Sequence, residues 1–139
     1  MSEQKTLWEN AEEKRARERA RDALDRRGVQ VETIKRLRAN SVPPMVVLKV
    51  AGTLRQPFRL NDLSVACFAV RPDLFAMQGY PQFPDNHKVH WILYGDRGLV
   101  SQGFLQRVSK GLFQVPDDLD RATVELIREF DLHSGQAPG

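Results

Sequence analysis

The stretch GFLQRVSKGLFQV, residues 103–115, restricts the fold more than any other. Apolar and aromatic residues flank Ser109-Lys110-Gly111, a natural turn. Strands are therefore expected at 104–108 and 112–115, with the turn at 109–111. Just ahead lies DNHKVHWILY, a helical pattern with more ring and amide groups than a core helix needs. Helix and hairpin are expected to close a core through Val89, Ile92, Leu93, Phe104, Leu105, Val108 and Phe113. The same helix and hairpin also present a polar face that can grip a partner.

The chain upstream reads as helices. Residues 6–27, TLWENAEEKRARERARDALDRR, hold no Gly or Pro and are rich in Ala, Glu, Arg and Leu. Thr6 with Glu9 fits a capping box. Trp8, Ala11, Ala16, Ala20, Ala23 and Leu24 make a thin stripe, so this helix buries little by itself. Gly28 is expected to end it. A second stretch, VETIKRLRAN, places Val31, Ile34 and Leu37 at helical spacing. PPMVVLKVAGT, residues 43–53, reads as a short buried helix ending near Gly52, with Lys49 facing out. Asn61 is the expected N-cap of a heavily buried helix over 62–70, carrying Leu63, Val65, Ala66, Phe68 and Val70. Pro72 stops it, and the Gly- and Pro-rich run 72–84 reads as a loop. Asp85 starts the next helix, and Gly95 or Gly98 closes it. A last helix, capped by Asp117 or Asp118, shows Ala122, Val124, Leu126, Ile127 and Phe130 on its apolar side.

The expected fold class is mainly α with a small β-hairpin (α+β). The expected organisation is a charged helical arm at 1–39, a domain at 40–131 and a disordered tail at 132–139. The chain's 139 residues suit one such domain plus an arm. Charge is unevenly spread. Residues 1–39 hold eleven Lys/Arg against eight Asp/Glu, residues 40–116 eight against four, and residues 117–139 two against six. A mildly basic middle permits nucleic-acid binding without demanding it. Cys67 is the single cysteine and makes no internal disulfide. The first twenty residues lack the apolar stretch of a secretory signal. No run approaches the roughly 18 apolar residues of a membrane helix. A cytoplasmic protein with no membrane partner is expected.

Three helices followed by a hairpin is the winged-helix order, and the chain resembles the winged helix-turn-helix superfamily over about residues 43–130. PFRLNDLSVACFAV carries the second helix, PDNHKVHWILYGDRGLV the third and GFLQRVSKGLFQV the wing. The run from 72 to 84 departs from the usual three- or four-residue turn. The resemblance implies a module that binds double-stranded DNA, associated with the nucleoid, as a regulator or DNA-docking subunit. The third helix would enter the major groove, and the wing would follow the backbone or reach the minor groove. With Val89, Ile92 and Leu93 inward, Asn86, His87, His90 and Tyr94 become candidates for reading bases. Lys88, in the first turn, joins them. Arg97, Arg107, Ser109 and Lys110 are the candidates for phosphate, with Arg55 and Arg59 flanking the second helix. The arm, through residues 6–27, would dimerise the protein, meet a protein partner or add backbone contacts.

Other chemistry lacks its residues. His87 and His90 sit three apart, but no second Cys or His pair has ligand spacing, so no metal is expected. No P-loop, dinucleotide fingerprint or nucleophile elbow occurs. No cofactor and no enzymatic activity are expected. Cys67, between Ala66 and Phe68, reads as a small core residue. The alternative function is protein docking, which an exposed Trp91 and Tyr94 would favour. RNA binding by the basic arm is a third.

Overall fold

The structure, a computed structural model, describes residues 3–133, with side chains described from Asn10 onward except at 20 and 22–27. The Thr6–Glu9 capping pair, the stripe positions Trp8, Ala20, Ala23 and Leu24, and residues 134–139 lie outside what is described. The fold is α+β, mostly helical with small antiparallel sheets. In order it runs α1 (Glu3–Asn40), α2 (Val42–Thr53), β1 (Phe58–Arg59), α3 (Leu60–Val70), α4 (Pro72–Phe75), β2 (Ala76–Met77), β3 (Tyr80–Pro84), α5 (Asn86–Tyr94), β4 (Gln106–Ser109), β5 (Leu112–Gln114) and α6 (Arg121–Glu129). Among the described residues, no helix is long and apolar enough to cross a membrane.

Gly28 does not end the first helix, contrary to expectation: α1 runs unbroken to Asn40. One glycine in a helix costs only about 1 kcal/mol, and no proline follows to enforce a stop. The far end is also held by packing. Ile34 is wholly buried and belongs to the core with Met45, Leu63, Val89 and Leu93. The Gln30 side chain donates to the Gln102 carbonyl at 3.3 Å, and Arg38 lies 3.9 Å from Glu129 of α6. The packed unit therefore takes in α1 from Gln30 onward.

Helix α2 buries Met45 to Leu48, Val50 and Ala51, as its apolar run requires. Lys49 does not face out. Its ammonium donates to the Arg128 carbonyl at 2.8 Å and to the Phe130 carbonyl. It thereby satisfies carbonyls that the end of α6 leaves without helical partners. Helix α3 starts at Leu60, one residue off strand β1, so Asn61 lies inside the first turn and is not the cap. Its oxygen accepts from the Asn86 amide instead, at 3.2 Å. Leu63, Ser64 and Cys67 form the buried stripe, and Val65 points out, 55% exposed. A helix this apolar still has an outside when it is packed on one flank. Burial pushes the Cys67 thiol up to about 12, which keeps it neutral and inert.

Residues 72–84 are not a loop. Pro72 opens the turn of helix α4, and β2 and β3 form a hairpin around Gln78-Gly79. Both prolines of β3, Pro81 and Pro84, are tolerated because a two-stranded sheet has only edges. Arg71 anchors this segment. It is buried, donates twice to Asp73 (2.9 and 2.7 Å) and once to the Leu132 carbonyl at 3.1 Å. The Arg71 hydrogen bonds hold the Asp73 carboxyl below the usual carboxylate range.

The first strand of the hairpin begins later than expected, since Phe104 and Leu105 precede β4 and are buried, whereas the second begins at Leu112 as expected. Val108 is 48% exposed and does not join the core. The register slips between Arg107 and Ser109, and β4 is an edge strand with solvent on both faces. Strand β1 adds to the hairpin, giving a three-stranded sheet in the order β1-β5-β4. Gln56 extends that pairing, since its carbonyl oxygen accepts from the Val115 amide at 2.8 Å while its nitrogen donates to Ala51 at 2.8 Å and Leu54 at 2.9 Å. Helix α6 begins at Arg121 with Asp120, not Asp117 or Asp118, at its N-cap position; Leu126, Ile127 and Phe130 pack on the core as expected, and Ala122 does not. Ala122 is exposed, while Thr123 and Phe130 are buried.

Two outcomes follow for stability. Nothing lies within 4 Å of a Cβ built on Gly28, and its φ is not positive. Gly28→Ala is expected to deepen the helical circular dichroism signal and to stabilise by up to about 1 kcal/mol. A helix ending in a left-handed Gly28 would instead lose stability. Asp73→Asn is expected to lower the urea midpoint at neutral pH. Asp73's folded pKa lies below its unfolded one, so its contribution is complete above the ordinary carboxylate range and fades as pH falls through the depressed value. Parent and variant should therefore converge in acid, and a gap that widens there would refute the assignment.

Candidate functional site

The α5 helix is placed by its inner face. Asp85 caps it by accepting from the Lys88 amide at 3.0 Å. Val89 and Leu93 are wholly buried and Ile92 is half-buried. Spacing then puts His87, His90, Trp91 and Tyr94, at i, i+3, i+4 and i+7, on one outer stripe. All four are exposed, Trp91 by 65% and Tyr94 by 41%. Asn86, exposed at the start of the helix, lies off this stripe by spacing and donates to the Asn61 oxygen. The outer stripe of α5 is thus made of rings and carries no Lys or Arg.

Lys88 is not part of that stripe. Its ammonium donates to the Leu74 carbonyl and lies 5.4 Å from the centre of the Phe75 ring. The site expected of it is taken up by α4, because the short helix delivers a free carbonyl and a ring face beside the first turn of α5.

The β4–β5 hairpin is joined to the stripe by aromatic contacts. Tyr94 meets Phe113 edge-on at 5.8 Å between ring centres, and His90 lies 4.9 Å from Tyr94. Phe113 in turn stacks on Phe58 at 6.4 Å. Leu60, His90, Tyr94, Arg107, Gly111 and Phe113 together line a shallow cleft of about 370 Å³ between α5 and the wing. Gly111 has φ of 77° at the second position of the tip, a conformation that glycine takes without strain. Behind the stripe, the chain after α5 folds back on the helix. The amides of Leu99 and Val100 donate to the Ile92 and Leu93 carbonyls at 3.0 and 3.1 Å. A side chain at Gly98 would collide with the Leu93 carbonyl, so glycine is needed there.

Of the five candidate cations, one lines this cleft. Arg107 lines it, with its Nε donating to the nearby Ser109 carbonyl at 3.4 Å. Lys110 stands at the exposed wing tip, Arg59 pairs across from Leu112, and Arg97 follows α5 with φ of 59°. Arg55 lies on the segment that leads into β1. All five side chains are exposed. Among the described residues, the ion pairs involve Arg17, Lys35, Arg38, Arg71 and Arg121, so none of the five is neutralised by an acid. The structure therefore brings His90, Tyr94, Arg107 and the wing tip together, and leaves Lys88 out.

Two features escaped the sequence. Leu60 and Phe113 help to form the cleft, and only strand pairing reveals that. The β2–β3 hairpin exposes Met77, Tyr80 and Phe83. Its signal was the two-residue Gln78-Gly79 turn between apolar runs, masked by prolines that read as loop. Among the described residues, no group of three His, Cys, Asp or Glu can hold a metal ion.

The Lys88 and His87 side chains should separate in stability. Lys88→Ala is expected to cost about 1–2 kcal/mol in urea denaturation, from the lost carbonyl bond and cation–π contact. His87→Ala should stay within about 0.5 kcal/mol. Equal effects would show that Lys88 is as free as His87.

A scan against protein-family models, a search of curated proteins and a search of solved structures each returned no match.

Proposed function

We propose that the chain binds duplex DNA through the outer stripe of α5 and the β4–β5 hairpin, as a winged-helix module serving as a regulator or a DNA-docking subunit. The observation that carries this is the cleft where His90 and Tyr94 meet Arg107 of the β4–β5 hairpin, an exposed cation with no ion pair among the described residues. Further support comes from the element order, in which α2, α3 and α5 precede a hairpin tied back to β1. Unpaired Arg and Lys side chains gain most from phosphates, because each contact releases a condensed counterion. In this division of labour Arg55, Arg59, Arg97, Arg107 and Lys110 hold the backbone. Asn86, His87, His90 and Tyr94 face the base edges, and Ser109 adds a hydroxyl beside Arg107. The inserted β2–β3 hairpin lengthens the path between α3 and α5, and the pose of α5 is then fixed by its own core face and by Asn61–Asn86.

One observation favours a second reading. A 65%-exposed Trp91 on a helix face without cations also suits a protein surface. In that reading the same stripe docks a protein within a larger complex.

Fluorescence anisotropy of a labelled random-sequence duplex separates the two. From about 50 to 200 mM salt, DNA affinity should fall by orders of magnitude. Arg107→Ala with Lys110→Ala is expected to weaken every duplex alike and to reduce the salt slope by about two, at roughly 0.9 per phosphate. His90→Ala should instead change the ranking of sequences. No binding by the parent at the lowest salt would transfer the assignment to protein docking.

A further inference from the structure

The first helix carries a second cationic feature, remote from the cleft. Between Lys14 and Arg21 the chain reads KRARERAR, five cations against one acid, a local charge of +4. All five cationic side chains are exposed. Among the described residues only Arg17 of these is ion-paired, 3.7 Å from Glu13 with both side chains mostly in water. Such a pair is worth little and yields readily to a phosphate.

Their angular arrangement is specific. At about 100° per residue, Lys14, Arg17 and Arg21 fall within roughly 60° of one another. Arg15 and Arg19 fall within roughly 40°, and the two groups lie roughly 150° apart. Ala16 sits between the flanks on one side and Glu18 between them on the other. A flat membrane surface needs an apolar face opposite the charges, and a coiled coil needs an apolar seam. This segment has neither. A helix with two opposed basic flanks and a small residue between them fits a groove walled by two phosphate strands. The major groove of B-form DNA, about 12 Å wide, admits a helix.

The helix is also rooted beside the proposed site. It leaves the packed unit at Gln30, which bonds to Gln102. That residue belongs to the segment joining α5 to β4, the two elements of the proposed DNA site. From Gln30 back to Lys14 the helix spans about 24 Å at 1.5 Å per residue. Apart from half-buried Ala11, every described side chain from Asn10 to Val29 is exposed.

We propose that Lys14–Arg21 seats α1 in the major groove of the DNA next to the segment held by α5 and the wing, with Lys14, Arg17 and Arg21 on one phosphate strand and Arg15 and Arg19 on the other. This rests on the duplex-binding reading above. Ala16 faces the groove floor, and Glu18 faces solvent. The arm lengthens the footprint by about 7 base pairs at 3.4 Å each.

The test compares the full chain with a variant in which all five cations become glutamine, a strong helix former. Both are titrated with duplexes of about 12 and about 24 base pairs, long enough to hold one or both contacts at 3.4 Å per base pair. On the longer duplex the variant should bind at least 100-fold more weakly, with a salt slope smaller by about four. On the shorter duplex the two should agree. Equal binding to the longer duplex by both proteins, with Arg107→Ala/Lys110→Ala still weakened, overturns the arm assignment and leaves the cleft intact. A parent that binds neither duplex overturns both. A parent that prefers an RNA hairpin of similar length, or a parent that sediments as a dimer and a variant that sediments as a monomer, assigns the arm to RNA or to a second copy instead. Helical circular dichroism of the variant, matched to the parent, excludes loss of α1 as the cause.

Discussion

The side chain of Phe113 is where the two halves of the molecule meet. It is buried in β5, pairs across from Phe58 in β1 and receives the edge of Tyr94 from α5. Each aromatic pair adds about 0.5–1.5 kcal/mol beyond the burial of its area. The geometric consequence is larger. A two-stranded hairpin is marginal in water, and β4 contributes no buried side chain of its own. Through Phe113 the wing inherits the position of β1, and β1 leads without interruption into α3. The helical core therefore sets where Arg107 and Lys110 stand relative to His90 and Tyr94.

Much of this was legible, and the reasons are local. Strand 112–115 and its glycine turn were visible because alternation and Gly111 agree. Helix α5 was visible because Asp85 caps it and Val89 and Leu93 share a face. The short pairing partner Phe58–Arg59 was not visible, since two residues carry no period. Its partner Leu112–Phe113 lies more than fifty positions away. The same non-locality hid the fate of two lysines. Lys49 and Lys88 look like surface cations in sequence, yet each ends on backbone carbonyls of another helix. A long flexible stem lets the charge reach past its own element, so side-chain charge says little about the direction it takes. Gly28 misled for the opposite reason, because a glycine is a permission to stop, and here the packing of Ile34 beyond it carries the helix through.

The chemical character of the site differs from a basic recognition helix. The α5 stripe offers two imidazoles, an indole and a phenol, with its one lysine withdrawn to α4. Charge sits instead on the wing, on β1 and after the helix, held at a distance by backbone geometry. On the proposed reading, phosphate binding and base reading would fall on different elements. Under that proposal affinity would vary with salt while the ring stripe would set selectivity. On that reading a chain of modest net charge could bind a polyanion: acids are concentrated at 117–139, while among the described residues no ion pair involves Arg55, Arg59, Arg97, Arg107 or Lys110.

Helix α1 ties these parts together. Its last turns are core, through Thr33 and Ile34, and its exposed length begins where Gln30 rests over Gly103 and bonds to Gln102. Gly103 adopts φ of 82° at that contact, a conformation in which a side chain would be strained. A Cβ there would also press against the Gln30 amide at 3.0 Å. The segment under this contact starts at the end of α5 and finishes at the first strand of the wing. The direction in which the long helix leaves the domain is therefore set by the same backbone that positions the cleft. An arm attached through a loose linker would sample many directions and lose effective concentration. Because α1 runs as one helix through Gly28, no loop separates the cations of Lys14–Arg21 from the end that is rooted in the core.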